Sequence, residues 1–186
     1  MQFGHLAIAL SIATYDWSIE TAVFCIGMHW LPNMDSLVVK AGLDKQAIRG
    51  ALKLERLVRG KNTANTPEHE AMNDPFWIEN GGFHCTVTHS IFFAFVVSLL
   101  IALFSVHYAA FASVSILAHY AADIGSTVGL PLLWPFTRKK FTLSLFRDTG
   151  WWGKQMLIGY YKQPMSWVLE GIVVIFGICR LSAIYL

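Results

Sequence analysis

Apolar and polar positions divide this chain into long hydrophobic segments joined by short polar stretches. Since a helix needs about 20 apolar residues to cross a ~30 Å hydrocarbon core, segment 90–106 is predicted to be the clearest transmembrane helix. The first two segments, about 12 residues each, are short for a crossing and are expected to form a hairpin packed against longer helices. The pattern predicts an all-α fold, a polytopic membrane helical bundle of about five hydrophobic segments: 5–15, 19–31, 90–106, 109–124 and 166–186.

A polar insertion at residues 36–83 interrupts this bundle. Within it, residues 43–58 place apolar side chains on one face of a helix and lysines and arginines on the other. Such an amphipathic helix is expected to lie in the membrane interface, although a surface helix of a small soluble cap fits the pattern equally well. Residues 62–82 are rich in turn formers and predict a loop. We expect residues 1–186 to form a single membrane-embedded domain.

Composition supports a membrane protein. Of the 186 residues, 55% are hydrophobic and only 14% are charged, whereas soluble domains carry about 25% charged residues. The net charge of +2 does not favour a nucleic-acid partner. Cys25, Cys85 and Cys179 show no CxxC spacing, so neither a disulfide framework nor a thiolate zinc site is indicated.

Candidate metal ligands occur at the ends of the hydrophobic segments. An ionisable group beside lipid is costly unless it is paired or bound. If consecutive segments alternate in direction, these groups all lie at one membrane face. Histidine and aspartate bind hard or borderline cations, so a shared metal site is predicted, with zinc favoured and manganese as the alternative. The six candidate ligands are His5, Asp35, His84, His89, His119 and Asp123.

The spacing of these residues constrains how they act. His119 and Asp123, four residues apart, lie on one helix face, where they chelate a metal or form a hydrogen-bonded pair. His84 and His89 are separated by about 140° on a straight helix, so they share a metal only if His84 lies in a loop. Asp35 is interpreted as a ligand, a general base or a helix cap.

The remaining histidines and the basic residues complete this picture. His29 fits a supporting role behind the ligands, whereas His69 and His107 are interpreted as incidental. Seven lysines and arginines lie within residues 40–61 and six within 138–162, and both stretches fall at the ligand face. Because cytoplasmic loops are enriched in lysine and arginine, the ligand face is predicted to be cytoplasmic, with the N-terminus inside and the C-terminus outside.

Four stretches of the chain together resemble the YdjM-like family of LexA-regulated inner-membrane proteins, which are predicted metal-dependent hydrolases. The resemblance implies a multi-helix membrane protein with metal ligands at the positions given above. Two positions depart from the family's pattern: Asn33 stands where a second acid is usual, and Cys85 where an arginine is usual. The matching stretches are Gly4-His5-Leu6, residues 31–35 (LPNMD), residues 84–90 (HCTVTHS) and residues 119–136 (HYAADIGSTVGLPLLWPF).

The leading hypothesis is a membrane-bound metal-dependent hydrolase that acts on phosphoesters in a lipid or lipid-linked substrate. Asp35, His89 and Asp123 are the candidate catalytic residues. The expected partners are membrane lipids and this substrate, without nucleic acid. A non-enzymatic scaffold protein with a structural metal site, and a small transporter subunit, are the alternatives. The basic residues suited to an anionic headgroup near the interface are Arg138, Lys139 and Lys140.

Overall fold

The computed structural model describes residues 2–60, 74–78, 83, 85–147 and 158–185. These residues form helices and short 3-10 turns and contain no β-strand, which confirms the predicted all-α class. The 3-10 turns are Thr14–Asp16, Leu31–Met34 and Val87–His89. The helices are α1 (Gln2–Ala13), α2 (Ile19–Trp30), α3 (Asp35–Lys40), α4 (Asp44–Arg59), α5 (Pro75–Ile78), α6 (Ile91–Ala102), α7 (Val106–Asp123) and α8 (Pro164–Tyr185).

Serine side chains cap the N-termini of three helices. The hydroxyl of Ser18 accepts the backbone N–H of Thr21 at the start of α2, as the sequence predicts. Ser90 caps α6 and Ser105 caps α7 in the same way. The cap at Ser105 divides the apolar run 90–106, so the prediction of one continuous transmembrane helix there is wrong. The turn between α6 and α7 therefore lies before His107 rather than at it.

Two helical stretches among the described residues are long and apolar enough to cross a membrane. They are Ile19–Lys40, which joins α2 to α3, and Pro164–Ile184 in α8. A proline normally ends a helix, and the sequence predicts that Pro32 ends the apolar segment 19–31. Instead it occupies the first turn of the 3-10 helix Leu31–Met34, where its missing N–H leaves no hydrogen bond unmade. Two candidate spans do not confirm a five-segment bundle, and the number of crossings stays a prediction.

Helix α1 lies at the centre of the bundle, because it packs against α2, α7 and α8, while α6 packs against α7. Small side chains allow close helix contacts, and Ala9, Ala13 and Ala112 are fully buried. At Gly177 of α8 a Cβ would lie only 3.3 Å from both the Cβ and the carbonyl oxygen of Ala7. Helices α1 and α8 are thereby in close contact at this level of the bundle.

The predicted amphipathic helix is α4, which belongs to a small cap formed with α5 and residues 134–138. Ile48, Ala51 and Leu52 of α4 are buried in one cluster with Trp77 and Trp134. This arrangement favours the surface-helix interpretation over a helix that buries its apolar face in lipid. The sequence pattern predicts an apolar face that includes Leu57 and leaves out Leu52; in the structure Leu57 is 81% exposed and Leu52 is buried.

Arg138 joins the two halves of the cap. Its Nε and Nη2 donate to Glu55 at 3.0 and 2.9 Å, and its Nη1 donates to Asp74 at 2.7 Å. The guanidinium also lies over the rings of Phe76 and Trp77, 5.6 and 5.8 Å from their centroids. The Arg138 guanidinium is thus paired within the cap, and the expectation that it holds an anionic headgroup stays a prediction.

Candidate metal centre

Four imidazoles and one carboxylate meet where the ends of several helices come together. His5 comes from the first turn of α1, His29 from the last turn of α2, and His89 from the 3-10 turn before α6. His119 and Asp123 come from the last turns of α7. The imidazoles are buried, with at most 6% exposure, and the Asp123 side chain is 27% exposed. The cluster is therefore a polar pocket inside an apolar bundle, open at Asp123.

Asp123 contacts three of the four imidazoles. Its Oδ1 lies 3.1 Å from Nε2 of His5, and its Oδ2 lies 3.0 Å from Nε2 of His119. Nε2 of His89 is 4.0 Å from Oδ2. The four-residue spacing of His119 and Asp123 along α7 brings both onto one face, as the sequence predicts. The carboxylate is the shared centre of the cluster.

A chain of hydrogen bonds fixes the protons on His29 and His5. Nδ1 of His29 lies 2.9 Å from the carbonyl oxygen of Ser115, which only accepts, so this nitrogen carries the hydrogen. The other nitrogen of a neutral His29 then accepts from Nδ1 of His5, 2.8 Å away. Nε2 of a neutral His5 consequently turns a lone pair toward the Asp123 carboxylate. A cation, either a proton or a metal ion, is needed to make that contact favourable.

His119 gives a second sign that an ion belongs here. Its Nδ1 is buried and has no hydrogen-bond partner among the described residues, although buried polar atoms are normally paired. Its Nε2 lies 3.4 Å from Nε2 of His89, so at most one of these two nitrogens can donate to the other. Imidazoles arranged with facing or unpaired nitrogens are the usual surroundings of a metal ion rather than of a hydrogen-bonded core.

Two overlapping groups of these side chains have ligand atoms within 4.8 Å of one another. One consists of His5, His29 and His119, and the other of His89, His119 and Asp123. Imidazole nitrogens with a carboxylate oxygen suit Zn²⁺ and also Mn²⁺. The residues thus fit a divalent metal ion, as the sequence predicts. Which metal ion binds stays a prediction.

Asp35 supports His89 from behind. Its Oδ2 accepts the backbone N–H of Cys85 at 2.9 Å and the hydroxyl of Thr88 at 2.6 Å. The same oxygen lies 3.7 Å from Nδ1 of His89. Since 3.7 Å is too long for a hydrogen bond, the link runs through Thr88, whose hydroxyl oxygen lies 3.1 Å from Nδ1 of His89. A carboxylate linked in this way to a ligating histidine helps to fix the ring's orientation. Asp35 lies outside both ligand groups, so direct ligation and its general-base role stay predictions.

Tyr120 is a functional contributor that the sequence patterns did not reveal. Its hydroxyl donates to the carbonyl oxygens of Thr88 and Ser90, at 2.7 and 3.0 Å. It thereby holds the turn that carries His89 against α7. The only signal in the sequence is its position next to His119, and that position alone did not distinguish it from the other interfacial tyrosines.

The other predicted residues fall outside the pocket or outside the described part of the chain. His84, a predicted ligand, and His69 lie outside the described residues. His107 is on α7 but about 18 Å along the helix from His119, where its Nε2 lies 2.8 Å from Oδ2 of Asp16. This placement agrees with the interpretation of His107 as incidental and makes it a natural control for His119.

Cys85 occupies the position at which the resemblance leads one to expect an arginine. Its Sγ lies 4.0 Å from Nε2 of His89, and its backbone has a φ of +52°. Burial and the nearby carboxylates of Asp35 and Asp123 raise the pKa of the Cys85 thiol well above its usual range. Without an ion the thiol therefore stays neutral.

Comparison with known proteins settles the family. The model of the YdjM inner membrane protein family matches residues 3–186. The chain belongs to this family. The match covers essentially the whole chain, including the 36–83 insertion, and confirms the resemblance seen in the polar motifs. Together with the two apolar helices, it makes this YdjM family member a membrane protein. Comparisons with curated proteins and with solved structures gave no match.

Proposed function

We propose that this YdjM family member is a metal-dependent hydrolase of phosphoesters in a lipid or lipid-linked substrate. The observation that carries the proposal is the buried cluster of four imidazoles, three of which contact Asp123, in which Nδ1 of His119 has no partner among the described residues. Neither a simple core nor a solvated surface explains so many ionisable groups beside lipid. A bound divalent ion supplies Lewis acidity toward a phosphoryl oxygen and lowers the pKa of water.

Each side chain of the metal centre has a distinct proposed role. His89, His119 and Asp123 would hold the ion, and Asp35 and Tyr120 fix the turn that presents His89. His29, whose ring is oriented by the Ser115 carbonyl, orients His5 in turn. Because the Asp123 carboxylate is the part of the cluster with appreciable exposure, it is the group placed to accept a proton from water beside the substrate.

The position of the pocket supports a substrate that is itself in the membrane. His5, His29 and His119 come from apolar helices, and the exposed positions beside them on α1 include Phe3 and Leu6. A lipid molecule in the membrane would lie directly against this apolar surface. The phosphate group of a lipid at the interface would then be the part that meets Asp123.

Metal content and turnover test the proposal together. We expect purified protein to retain about one or two equivalents of zinc or manganese, and to hydrolyse at least one substrate from a panel of phosphomonoesters, phosphodiesters and phospholipids. His119→Ala removes a ligand that both groups share, so metal content and turnover should each fall at least tenfold. The measurements are elemental analysis of the purified protein and phosphate or headgroup release.

His107→Ala is the matched control, because it removes a histidine from the same helix at the opposite end. It should leave both metal content and turnover unchanged, and circular dichroism should show equal helix content in all three proteins. If wild type and His119→Ala bind equally little metal and are equally inactive on every substrate, the proposal is wrong. Stoichiometric metal without turnover would instead favour a structural metal site, which the near-complete burial of the imidazoles also suits.

We further propose that the metal centre faces the cytoplasm. Thirteen of the fourteen lysines and arginines lie within residues 40–61 and 138–162, the two polar stretches that the order of the segments puts at the same membrane face as the metal centre. Alkaline phosphatase fused after residue 186 should be active, because it requires the disulfides that form outside the cytoplasm. The same reporter inserted within residues 61–73 should be inactive. Activity of the two fusions in the opposite sense would reverse the orientation.

A further inference from the structure

A groove runs between α1 and α8 on the outer surface of the bundle. Its volume is about 520 Å³, within the roughly 300–1,000 Å³ typical of ligand sites. Its walls are apolar along most of its length, with Leu6 and Leu10 on one side and Val174 and Ile178 on the other. Helices α1 and α8 approach closely at Gly177, whereas a Cβ at Gly171 would meet no atom within 4 Å, so the missing side chain leaves open space in the groove.

The polar groups of the groove all lie at one end. Trp167, Tyr161 and Glu170 line the end that is level with the start of α1, and tryptophan and tyrosine favour the boundary between lipid tails and headgroups. From Trp167 to Leu181 the groove follows α8 for about 21 Å. That length exceeds the roughly 15 Å depth of one leaflet's hydrocarbon, so it accommodates one lipid chain running inward from the interface.

This polar end adjoins the metal centre. Glu170 accepts the backbone N–H of Gly4 at 2.5 Å, and the next residue, His5, points into the pocket. Tyr160, beside the groove residue Tyr161, is buried, and its hydroxyl has no hydrogen-bond partner among the described residues. Burial, the carboxylate of Glu170 and, more weakly, that of Asp123 raise the pKa of Tyr160. The ring of Tyr160 packs against that of Tyr161, with 4.9 Å between the ring centroids, so Tyr160 lies beside the polar end of the groove.

We propose that the groove between α1 and α8 binds one acyl chain of a phospholipid and so presents the phosphate of that lipid to Asp123. The inference rests on the proposed hydrolase function and narrows its substrate to a membrane phospholipid rather than a soluble phosphoester. The apolar walls suit the hydrocarbon of the acyl chain, and Tyr161 and Trp167 line the end of the groove at which the headgroup would lie.

Photocrosslinking with a defined lipid tests occupancy of the groove directly. The probe is a phosphatidylglycerol with a diazirine on one sixteen-carbon chain, added to the full-length protein in micelles, and labelled peptides are identified by mass spectrometry. Label should concentrate at Leu6–Leu10 and Val174–Ile178, and unlabelled phosphatidylglycerol should compete with it. Label that cannot be competed away, or that is equally strong along α2, would overturn the proposal.

Gly171→Leu fills the groove without touching the bundle, because a Cβ there meets nothing within 4 Å. It should reduce competable labelling at least fivefold. Gly27→Leu is the matched control: the same substitution is made on α2, also at an exposed glycine with open space around its Cβ, and labelling should not change. Val174→Trp is a second groove-filling variant, should Gly171→Leu reduce helix content. Undiminished labelling in both groove variants would contradict the assignment.

Kinetics separate this inference from the proposed function. Gly171→Leu should raise KM for a long-chain phospholipid at least tenfold and leave hydrolysis of a water-soluble phosphoester unchanged. If unlabelled lipid competes with the labelling but the protein hydrolyses no substrate, the groove binds an acyl chain and the proposed hydrolase function is wrong. If the protein hydrolyses a substrate in a His119-dependent way but shows no competable labelling, the hydrolase function is supported and acyl-chain binding in the groove is wrong.

Discussion

Asp123→Asn is expected to lower kcat/KM for phosphoester hydrolysis by about 10²–10⁴-fold, the range typical of a lost general base. The amide keeps the size of the side chain but has neither the negative charge nor the basicity of the carboxylate. In the wild-type protein that charge lies 3.1 Å from His5 and 3.0 Å from His119, so its loss should also weaken metal binding. Initial rates at saturating metal distinguish the loss of the base from the loss of the ion.

Asp16→Asn provides the control for this prediction. Asp16 is also an aspartate paired with a histidine, His107, but it is exposed and lies at the other end of α7. The substitution should leave kcat/KM within twofold of wild type. If Asp123→Asn retains more than a tenth of wild-type activity at saturating metal, Asp123 is not the base, and the buried Asp35 becomes the remaining carboxylate at the centre.

Arg138→Met is expected to lower the free energy of unfolding by about 3–5 kcal/mol, the usual effect of leaving a buried charge without its partner. Glu55 is only 1% exposed, and the Arg138 guanidinium donates to both of its oxygens. Arg59 also pairs with Glu55, but its side chain is one-third exposed and replaces the bidentate contact only in part. Denaturant titration in micelles, followed by circular dichroism, measures the change.

Two further variants identify why Arg138→Met lowers the free energy of unfolding. Lys139→Met removes the neighbouring exposed lysine and should change stability by less than about 0.5 kcal/mol, as expected for a surface position. The double variant Glu55→Gln/Arg138→Met should recover more than half of the loss, because it removes the uncompensated carboxylate. If the double variant is no more stable than Arg138→Met, the packing of Arg138 on Phe76 and Trp77 is the main contribution.

The convergence of the candidate ligands was predictable from the sequence because it needs only the order of the segments. Hydrophobic segments joined by short turns must run in alternating directions, so the start of α1 and the end of α7 lie at the same end of the bundle. His5 and Asp123 meet there although 118 positions separate them. The high cost of an isolated polar group beside lipid then brings the side chains together.

The boundary between α6 and α7 was not predictable from hydropathy. Leu103 and Phe104 are as apolar as the residues before them, yet they lie in the turn and are highly exposed. A hydropathy profile measures the preference of side chains for lipid and contains no information on where a backbone turns. The capping hydroxyl of Ser105 is the single local signal, and serine is also common inside membrane helices.

The contacts that position the site and the cap were also beyond sequence patterns. His29 is oriented by the backbone carbonyl of Ser115, and every residue has such a carbonyl, so no residue type marks the partner. Arg138 and Glu55 are 83 positions apart, with a long insertion between them. Charge patterns identify pairs one helical turn apart, whereas this pair forms only because the cap folds over the bundle.

The 3-10 turn at Leu31–Met34 sets the angular relation between His29 and Asp35. A 3-10 helix advances 120° per residue and an α-helix 100°, so these four residues rotate the following helix by about 80° relative to an uninterrupted one. That rotation directs Asp35 toward Thr88 and His89 instead of away from them. A deletion or insertion of one residue in this turn would rotate Asp35 by a third of a circle, so this segment should tolerate substitutions far better than changes in length.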